Sequence, residues 1–387
     1  MVYLTLGDRY SGVIASQVLD VAAFLQEELG EKVLVIAFIS IRQFFQQRAR
    51  FKHRGQRVWV VPMAPGLHRW RLNKWLMKIL ILLSGEKKAI CRGVLATNLA
   101  LTLKESGTLQ QLIYDGRGAT QAEWKEYEVV RSPQLIQEIG ALEGRAILDT
   151  DWRIAVSQAL VDHWQEEFGY QKHAHSIIPC TVNQLFLADL PSVSKRLEKR
   201  LSYGFDKQAV VLIYAGSSAG WQSFQRMDRW LLELMDQQAA IHILFLAKIE
   251  LEQLACYRAY PKRVAKDWVR HEDMLLTLSI GDYGLLVRED SVTNQVASPT
   301  KFAEYLCGGL QVLISPKLGD YSAMVAQEEL GHVVQLEQFD MPVLPQPTEE
   351  QKQQLHLIGT SRYSKQSYQS AYEQVLQPSS EQTLAQS

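Results

Sequence analysis

The 387-residue sequence lacks any run of the roughly 18 uncharged apolar residues that a membrane-spanning helix needs. It is poor in cysteine. Cys91, Cys180, Cys256 and Cys307 lie far apart, with no Cys-x-x-Cys pair. That pattern excludes a disulfide framework and a zinc–cysteine cluster, and it suits a reducing compartment. His163, His173, His175 and His271 show no HxxxH spacing and stand beside no group of acids, so no metal site is expected from them. Net charge is also missing: 41 Lys and Arg against 42 Asp and Glu leave −1. A general polyanion binder, and with it a nucleic-acid partner, is excluded on that balance. The opening residues Met1–Leu6 read as a strand with no basic stretch before an apolar core, so no signal peptide is expected and the chain reads as cytoplasmic.

What is present is an ordinary globular composition, 47% apolar and 21% charged, on a chain too long for one compact core. The pattern of strands and helices occurs twice. Strand Val2–Leu6 meets the turn Gly7–Gly12, and a helical pattern through Val18, Val21, Phe24 and Leu25 leads to a second apolar strand, Lys32–Ile39. Further strands are predicted at Arg57–Val61, Leu109–Tyr114, Arg153–Val156 and Ser176–Ile178. Residues Asn183–Lys207 are polar, with a charged helical run at Lys195–Arg200, and read as a linker between the halves. The pattern restarts at Ala209–Tyr214, with strands at Ile241–Leu246, Arg263–Val269, Tyr283–Val287 and Gln311–Ile314 alternating with helices. Continuous apolar strands alternating with helices predict parallel sheets covered on both faces. The expected architecture is α/β, two Rossmann-like parallel-sheet domains facing a central cleft. Residues 1–185 and 205–360 form the domains, and 361–387 a final helix and a frayed tail.

The balanced total hides an imbalance. Between Arg48 and Arg92 stand twelve Lys or Arg and a single acid, Glu86; the remainder holds 29 bases and 41 acids. Inside this segment, Arg69, Trp70, Arg71, Lys74, Trp75 and Lys78 precede Ile79-Leu80-Ile81-Leu82-Leu83. Lys74 and Lys78 share a helix face, and Trp75, Met77, Ile79 and Leu82 cover much of the rest. Such a helix can lie in an anionic bilayer surface with its cations outward; it can equally be a core helix whose lysines reach solvent.

The sharpest local pattern is Ser298-Pro299-Thr300-Lys301-Phe302-Ala303-Glu304-Tyr305-Leu306-Cys307-Gly308-Gly309. Ser298 is expected to cap a helix, with Pro299 in its first turn. The free amides and positive dipole end at 298–301 suit a phosphate, and Lys301 adds a cation. Glu304, three residues on, can accept from ribose hydroxyls. An ordinary capped helix with a surface Lys and Glu explains the same letters. Asp115 and Arg117, in Tyr114-Asp115-Gly116-Arg117-Gly118, end a strand and so belong at a carboxyl edge; a turn ion pair is their plain alternative.

This block, with Asp282-Tyr283-Gly284-Leu285-Leu286-Val287-Arg288 before it, resembles the donor-binding region of family 4 glycosyltransferases of the GT-B fold, in a bacterial polysaccharide branch. Tyr214-Ala215-Gly216-Ser217, Ala155–Leu160, Ile178–Asn183 and the Ser11-Gly12-Val13 turn are similar too. The resemblance implies a hexosyltransferase that carries a sugar from a nucleotide diphosphate sugar to a glycan or lipid-linked acceptor in cell-surface polysaccharide synthesis. It implies retention of configuration, no metal, and no cofactor beyond the nucleotide sugar as co-substrate. Gly216, Ser217, Arg288, Ser298, Lys301 and Glu304 would hold the donor. Gly12, Asp115 and Arg117 would serve the acceptor and the reaction. The basic segment would dock the protein as a peripheral membrane protein on the inner face of the plasma membrane. Three features depart from the family. Val296 stands where a first glutamate, eight before Glu304, is usual; no basic pair follows Gly216; and no His stands near Tyr114–Gly118. Asp149-Thr150-Asp151 has the letters of a metal-binding DxD, but it lies in the first half, where the resemblance puts no metal. The departures favour the alternative of a non-catalytic sugar- or nucleotide-binding protein, and a nucleotide-sugar epimerase shares the architecture.

Overall fold

The computed structural model describes residues 1–51, 55–130, 132–216, 221–337 and 341–377. The chain divides into two compact units: Met1–Thr181 together with the segment from Lys365, and Val182–Ser364.

The first unit is built on seven parallel strands: β1 (Val2–Leu6), β2 (Leu34–Ser40), β3 (Arg57–Met63), β4 (Lys88–Arg92), β5 (Gln111–Asp115), β6 (Trp152–Ala155) and β7 (His175–Ile177). Their order is β3-β2-β1-β4-β5-β6-β7. Val2, Tyr3 and Leu4 of β1 pair with Leu34–Ile36 on one side and Ala89–Cys91 on the other. β1 is thus an interior strand of the sheet and is buried on both faces, which is why it reads as continuous rather than alternating apolar sequence. The strand order reverses between β1 and β4, and side chains at the carboxyl ends there are placed for ligands.

The second unit has six parallel strands: β8 (Val210–Ala215), β9 (Ile241–Leu246), β10 (Val264–Lys266), β11 (Tyr283–Leu286), β12 (Gln311–Ile314) and β13 (Gly331–Val333). The order β10-β9-β8-β11-β12-β13 repeats the first sheet's plan, with its reversal between β8 and β11.

Five elements differ from the sequence expectation. Strand β4 was not read, because Lys88-Ala89-Ile90-Cys91-Arg92 has charged ends and a three-residue apolar centre. The segment read as a linker is part of the second unit: its helical run is the helix Val193–Ser202, capped by Ser192, with Arg196 and Arg200 buried. Its charges are the reason it read as solvent-exposed; Arg200 is in fact paired with the buried Asp282. Strand β13 and the helix Glu349–Tyr363 were also unread. The final helix, Gln369–Leu376, belongs to the first unit: Tyr372 packs against Phe24, ring centroids 5.6 Å apart, and Lys88 Nζ donates to the Leu376 carbonyl. The tail expected to fray lies outside the described residues. No described helix is long and apolar enough to cross a membrane.

Candidate active site

In the second unit, much of the motif-like sequence is explained by packing. Asp282, just before β11, is fully buried. It accepts from the Val211 amide at 2.8 Å, pairs with Arg200, and lies 3.0 Å from Lys352 Nζ. Gly284 leaves room for Tyr305: a Cβ there would come within 2.3 Å of the ring. The Tyr305 hydroxyl accepts from the Ala215 amide at 2.9 Å and donates to the Leu285 carbonyl at 3.2 Å. It therefore ties the carboxyl end of β8 to that of β11, where the sheet order reverses. Burial, the largest influence, raises the Tyr305 pKa well beyond the usual phenol range, so the hydroxyl keeps its proton.

Arg288 follows β11 and Ser315 follows β12. Ser315 Oγ donates to the Arg288 carbonyl at 2.7 Å and accepts from the Arg288 amide. The Arg288 guanidinium reaches Asn294 Oδ1 at 3.2 Å. Arg288 and Ser315 line a groove of about 510 Å³, with Arg226, Lys317, Glu289 and Asp290 among the other walls. Lys317 pairs with Asp290 at 2.9 Å and Arg226 with Glu337 at 3.2 Å. Arg226, Ser315 and Lys317 were not singled out in the sequence. A cation within three residues of a strand end is the signal that would have found Lys317.

The Thr300–Cys307 helix departs from expectation at its start. Its cap position is Pro299, which has no side-chain hydrogen bond to give. Ser298 does not cap; its hydroxyl is buried 2.7 Å from that of Tyr321, which stacks on Phe302 at 4.0 Å. Lys301 and Glu304 come together, but as an ion pair with each other on adjacent turns. Ser298, Lys301 and Glu304 do not line the groove beside Arg288. Gly216 ends the described part of its loop, where a Cβ would meet the Tyr214 hydroxyl at 3.1 Å. Ser217 lies outside the described residues.

In the first unit, Asp115 closes β5 and is completely buried. Tyr3 donates to it at 2.5 Å, Arg117 Nε lies 2.7 Å away and Arg92 3.6 Å away. The strand–turn sequence brings Arg92 and Arg117 to the carboxyl ends of adjacent strands, as Arg92 and Asp115 are register partners. Arg117 also donates to Gln17 Oε1 at 3.4 Å. Asp115 thus holds two guanidinium groups and is itself fully buried. Asp8, two residues past β1, was missed, although it follows a strand by a single glycine. It is half-buried; burial raises its pKa, Arg92 opposes the rise and Asp115 adds to it. Lys365 is pushed down to about 8, mainly by burial, with Asp20 opposing. Gly12 opens a helix capped by Ser11, and a Cβ there would meet nothing within 4 Å.

Asp151, of the DxD-like triplet, pairs with Lys104 and accepts from the Leu112 amide at 2.7 Å. Among the described residues no cluster of three or more His, Cys, Asp or Glu is arranged to hold a metal ion.

The basic segment is divided by the fold. Trp70 is only 3% exposed and is a core residue, against the expectation that it reaches a membrane. Arg71 lies over its ring at 4.7 Å and pairs with Glu138 at 2.9 Å. Arg69 is exposed, and Lys74 and Lys78 are half-buried. Trp75 is 70% exposed. Glu86 is tied to the Met1 ammonium group at 2.7 Å.

No family model and no curated protein matches the sequence. Among solved structures the chain is similar to Anabaena HepE in complex with UDP, with a TM-score of 0.69 and 14% identity over 98% of this chain and 99% of that one. It is similar to sucrose-phosphate synthase from Thermosynechococcus elongatus, with a TM-score of 0.68 and 13% identity over 98% and 100%. It is also similar to WaaG, a glycosyltransferase involved in lipopolysaccharide biosynthesis, with a TM-score of 0.67 and 14% identity over 94% and 95%. At such identities the likeness establishes the fold: two Rossmann-like parallel-sheet domains of the GT-B type.

Proposed function

We propose that this chain is a glycosyltransferase. It carries a sugar from a nucleotide diphosphate sugar to a glycan or lipid-linked acceptor in cell-surface polysaccharide synthesis, in the cytoplasm at the inner face of the membrane. The observation that carries the reading is the paired Rossmann-like fold shared along nearly its whole length with HepE, a structure that holds UDP. The groove at the carboxyl edge of the second sheet, where Arg288 stands beside Ser315, supports it.

On this reading the second unit binds the donor. Gly216 and Ser217 let the loop backbone approach the phosphates. Arg288, Lys301 and the open amides at the start of the Thr300–Cys307 helix stabilise the charge that grows on the leaving diphosphate, the kind of electrostatic term that usually dominates catalysis. Glu304 accepts from the ribose hydroxyls, so the Lys301–Glu304 pair opens when donor arrives. The first unit binds the acceptor. Gly12 leaves room for close approach, and Arg117 and Arg92, held by Asp115, orient it beside Asp8. Transfer retains configuration and uses no metal.

One observation favours a second reading, a protein that binds the nucleotide sugar without turning it over. Val296 replaces a glutamate, and Lys301 and Glu304 already satisfy each other. A panel of nucleotide sugars, incubated with membrane extract and assayed for transfer, epimerisation and hydrolysis, decides between them. Transfer that falls by about a hundredfold in Lys301→Ala and Glu304→Ala, with folding unchanged, supports the proposal. Tight nucleotide binding with no transfer to any acceptor overturns it, and an epimerised sugar nucleotide without acceptor assigns an epimerase.

A further inference from the structure

The Asn73–Ser84 helix is inverted relative to an ordinary surface helix. Its buried residues are Asn73, Met77 and Ile81. Gly85, left-handed at φ 72°, ends it. The side opposite the buried stripe would normally be polar. Here it is Trp75 (70% exposed), Ile79 (54%), Leu82 (56%) and Leu83 (72%), continued by Leu72 (63%) in the preceding turn. At 3.6 residues per turn these five positions fall within an arc of about 100°, facing away from Asn73, Met77 and Ile81. Five of the nineteen exposed large apolar side chains among the described residues thus lie on one twelve-residue stretch. Isolated exposed apolar residues need no explanation, but a contiguous stripe does.

The chemistry of its border identifies the occupant. On the same helical wheel Lys74 and Lys78 flank one side of the stripe, and Arg69 and Arg71 stand in the turn before it. The acids nearby are already engaged, Glu86 by the Met1 ammonium and Glu138 by Arg71. A protein partner would need matching acids and a shaped apolar surface. A bilayer of anionic lipids offers negative headgroups beside a fluid apolar interior, and it asks only for a stripe of Trp and Leu with cations at its edge.

We infer that the Leu72–Leu83 face is an interfacial membrane anchor, inserting Leu72, Trp75, Ile79, Leu82 and Leu83 among the lipids, with Arg69, Lys74 and Lys78 on anionic headgroups. Contact is by insertion as well as by charge, and Trp70 takes no part. The inference deepens the membrane part of the function proposed above and rests on that part alone; sugar chemistry does not enter its test.

The test is flotation of the full chain with vesicles of phosphatidylcholine, with and without phosphatidylglycerol. Wild type floats with the anionic vesicles, less so as salt rises. Trp75→Ala with Leu83→Ala lowers the partition coefficient at least about tenfold on either vesicle, with the melting temperature unchanged because both side chains are exposed. Lys74→Glu with Lys78→Glu lowers it about tenfold on anionic vesicles and removes the preference over neutral ones. Brominated lipid quenches more fluorescence in wild type than in Trp75→Phe, a readout that does not depend on the double variants folding. Failure of the wild type to float overturns the inference. So does flotation of both double variants at the wild-type level. A concentration-dependent dimer that Trp75→Ala dissolves, without vesicle binding, would instead assign the face to a second copy of the chain.

Discussion

Replacing Tyr305 by Phe removes one oxygen atom and tests how the second unit's candidate site is held. That oxygen accepts from the Ala215 amide at 2.9 Å and donates to the Leu285 carbonyl at 3.2 Å, and the side chain is completely buried. Phenylalanine keeps the ring in the space that Gly284 leaves, so no cavity term of note enters. What remains is a buried amide and a buried carbonyl without their partner. Leaving such groups unsatisfied costs about 1–3 kcal/mol. For a unit of this size each kcal/mol moves the melting temperature by about 2–4 °C, so a fall of about 4–8 °C is expected for a loss near 2 kcal/mol. Scanning calorimetry is the assay, because two units can melt in two transitions, and the loss belongs to the transition of the Val182–Ser364 unit. Ala215 leads into Gly216 and the loop proposed to approach the donor phosphates. Nucleotide affinity should therefore fall about three- to tenfold, with the acceptor KM unchanged. An unshifted transition, or a nucleotide Kd equal to wild type, refutes the view that this hydroxyl fastens the site.

Three further outcomes follow from named contacts. Asp282→Asn leaves the buried Arg200 and Lys352 without their shared carboxylate, and denaturant unfolding should show a loss of about 3–5 kcal/mol in the second unit. Glu143 is buried where it accepts from the Thr120 and Gln121 amides at 2.7 Å; burial raises its pKa to about 7 while those bonds oppose the rise. Its folded value exceeds the unfolded 4.5, so the native state holds the proton more tightly. First-unit stability should therefore be greatest below about pH 4.5 as far as this group is concerned, and fall by about 3 kcal/mol through pH 7. Glu143→Gln should flatten that part of the pH–stability curve measured by urea unfolding, and an unchanged curve would show that the group is not its source. Asp8→Asn should reduce transfer at least about tenfold through kcat or acceptor KM while nucleotide affinity stays at the wild-type value, read by initial rates beside calorimetric titration.

The architecture was legible because it depends on pattern rather than on single contacts. A strand such as Val2–Leu6 is apolar throughout only if both its faces are covered, and two series of such strands separated by helices admit little besides two parallel-sheet domains. Short, polar-ended strands carried no such signal. Lys88–Arg92 and Gly331–Val333 are recognised by their neighbours in the sheet, and their letters alone are those of loops. The Val193–Ser202 helix misled for the opposite reason: Arg196 and Arg200 look like solvent residues until Glu349 and Asp282, far off in sequence, meet them. Residue type says which chemistry a side chain can do, and long-range pairing decides whether it is free to do it. The same rule governs the candidate site. Asp115 and Ser298 had the right chemistry for reacting and capping, yet Tyr3, Arg117 and Tyr321 take up their oxygens. The two tryptophans of the basic segment make the point most directly. Trp70 and Trp75 are equivalent by charge context and composition. Trp70 lies in the tighter turn Leu67–Leu72 and Trp75 in the first turn of the Asn73–Ser84 helix, which puts one in the core and the other on the exposed stripe. Periodicity measured from the buried Met77 and Ile81, rather than residue type, is what separates the anchor from the core.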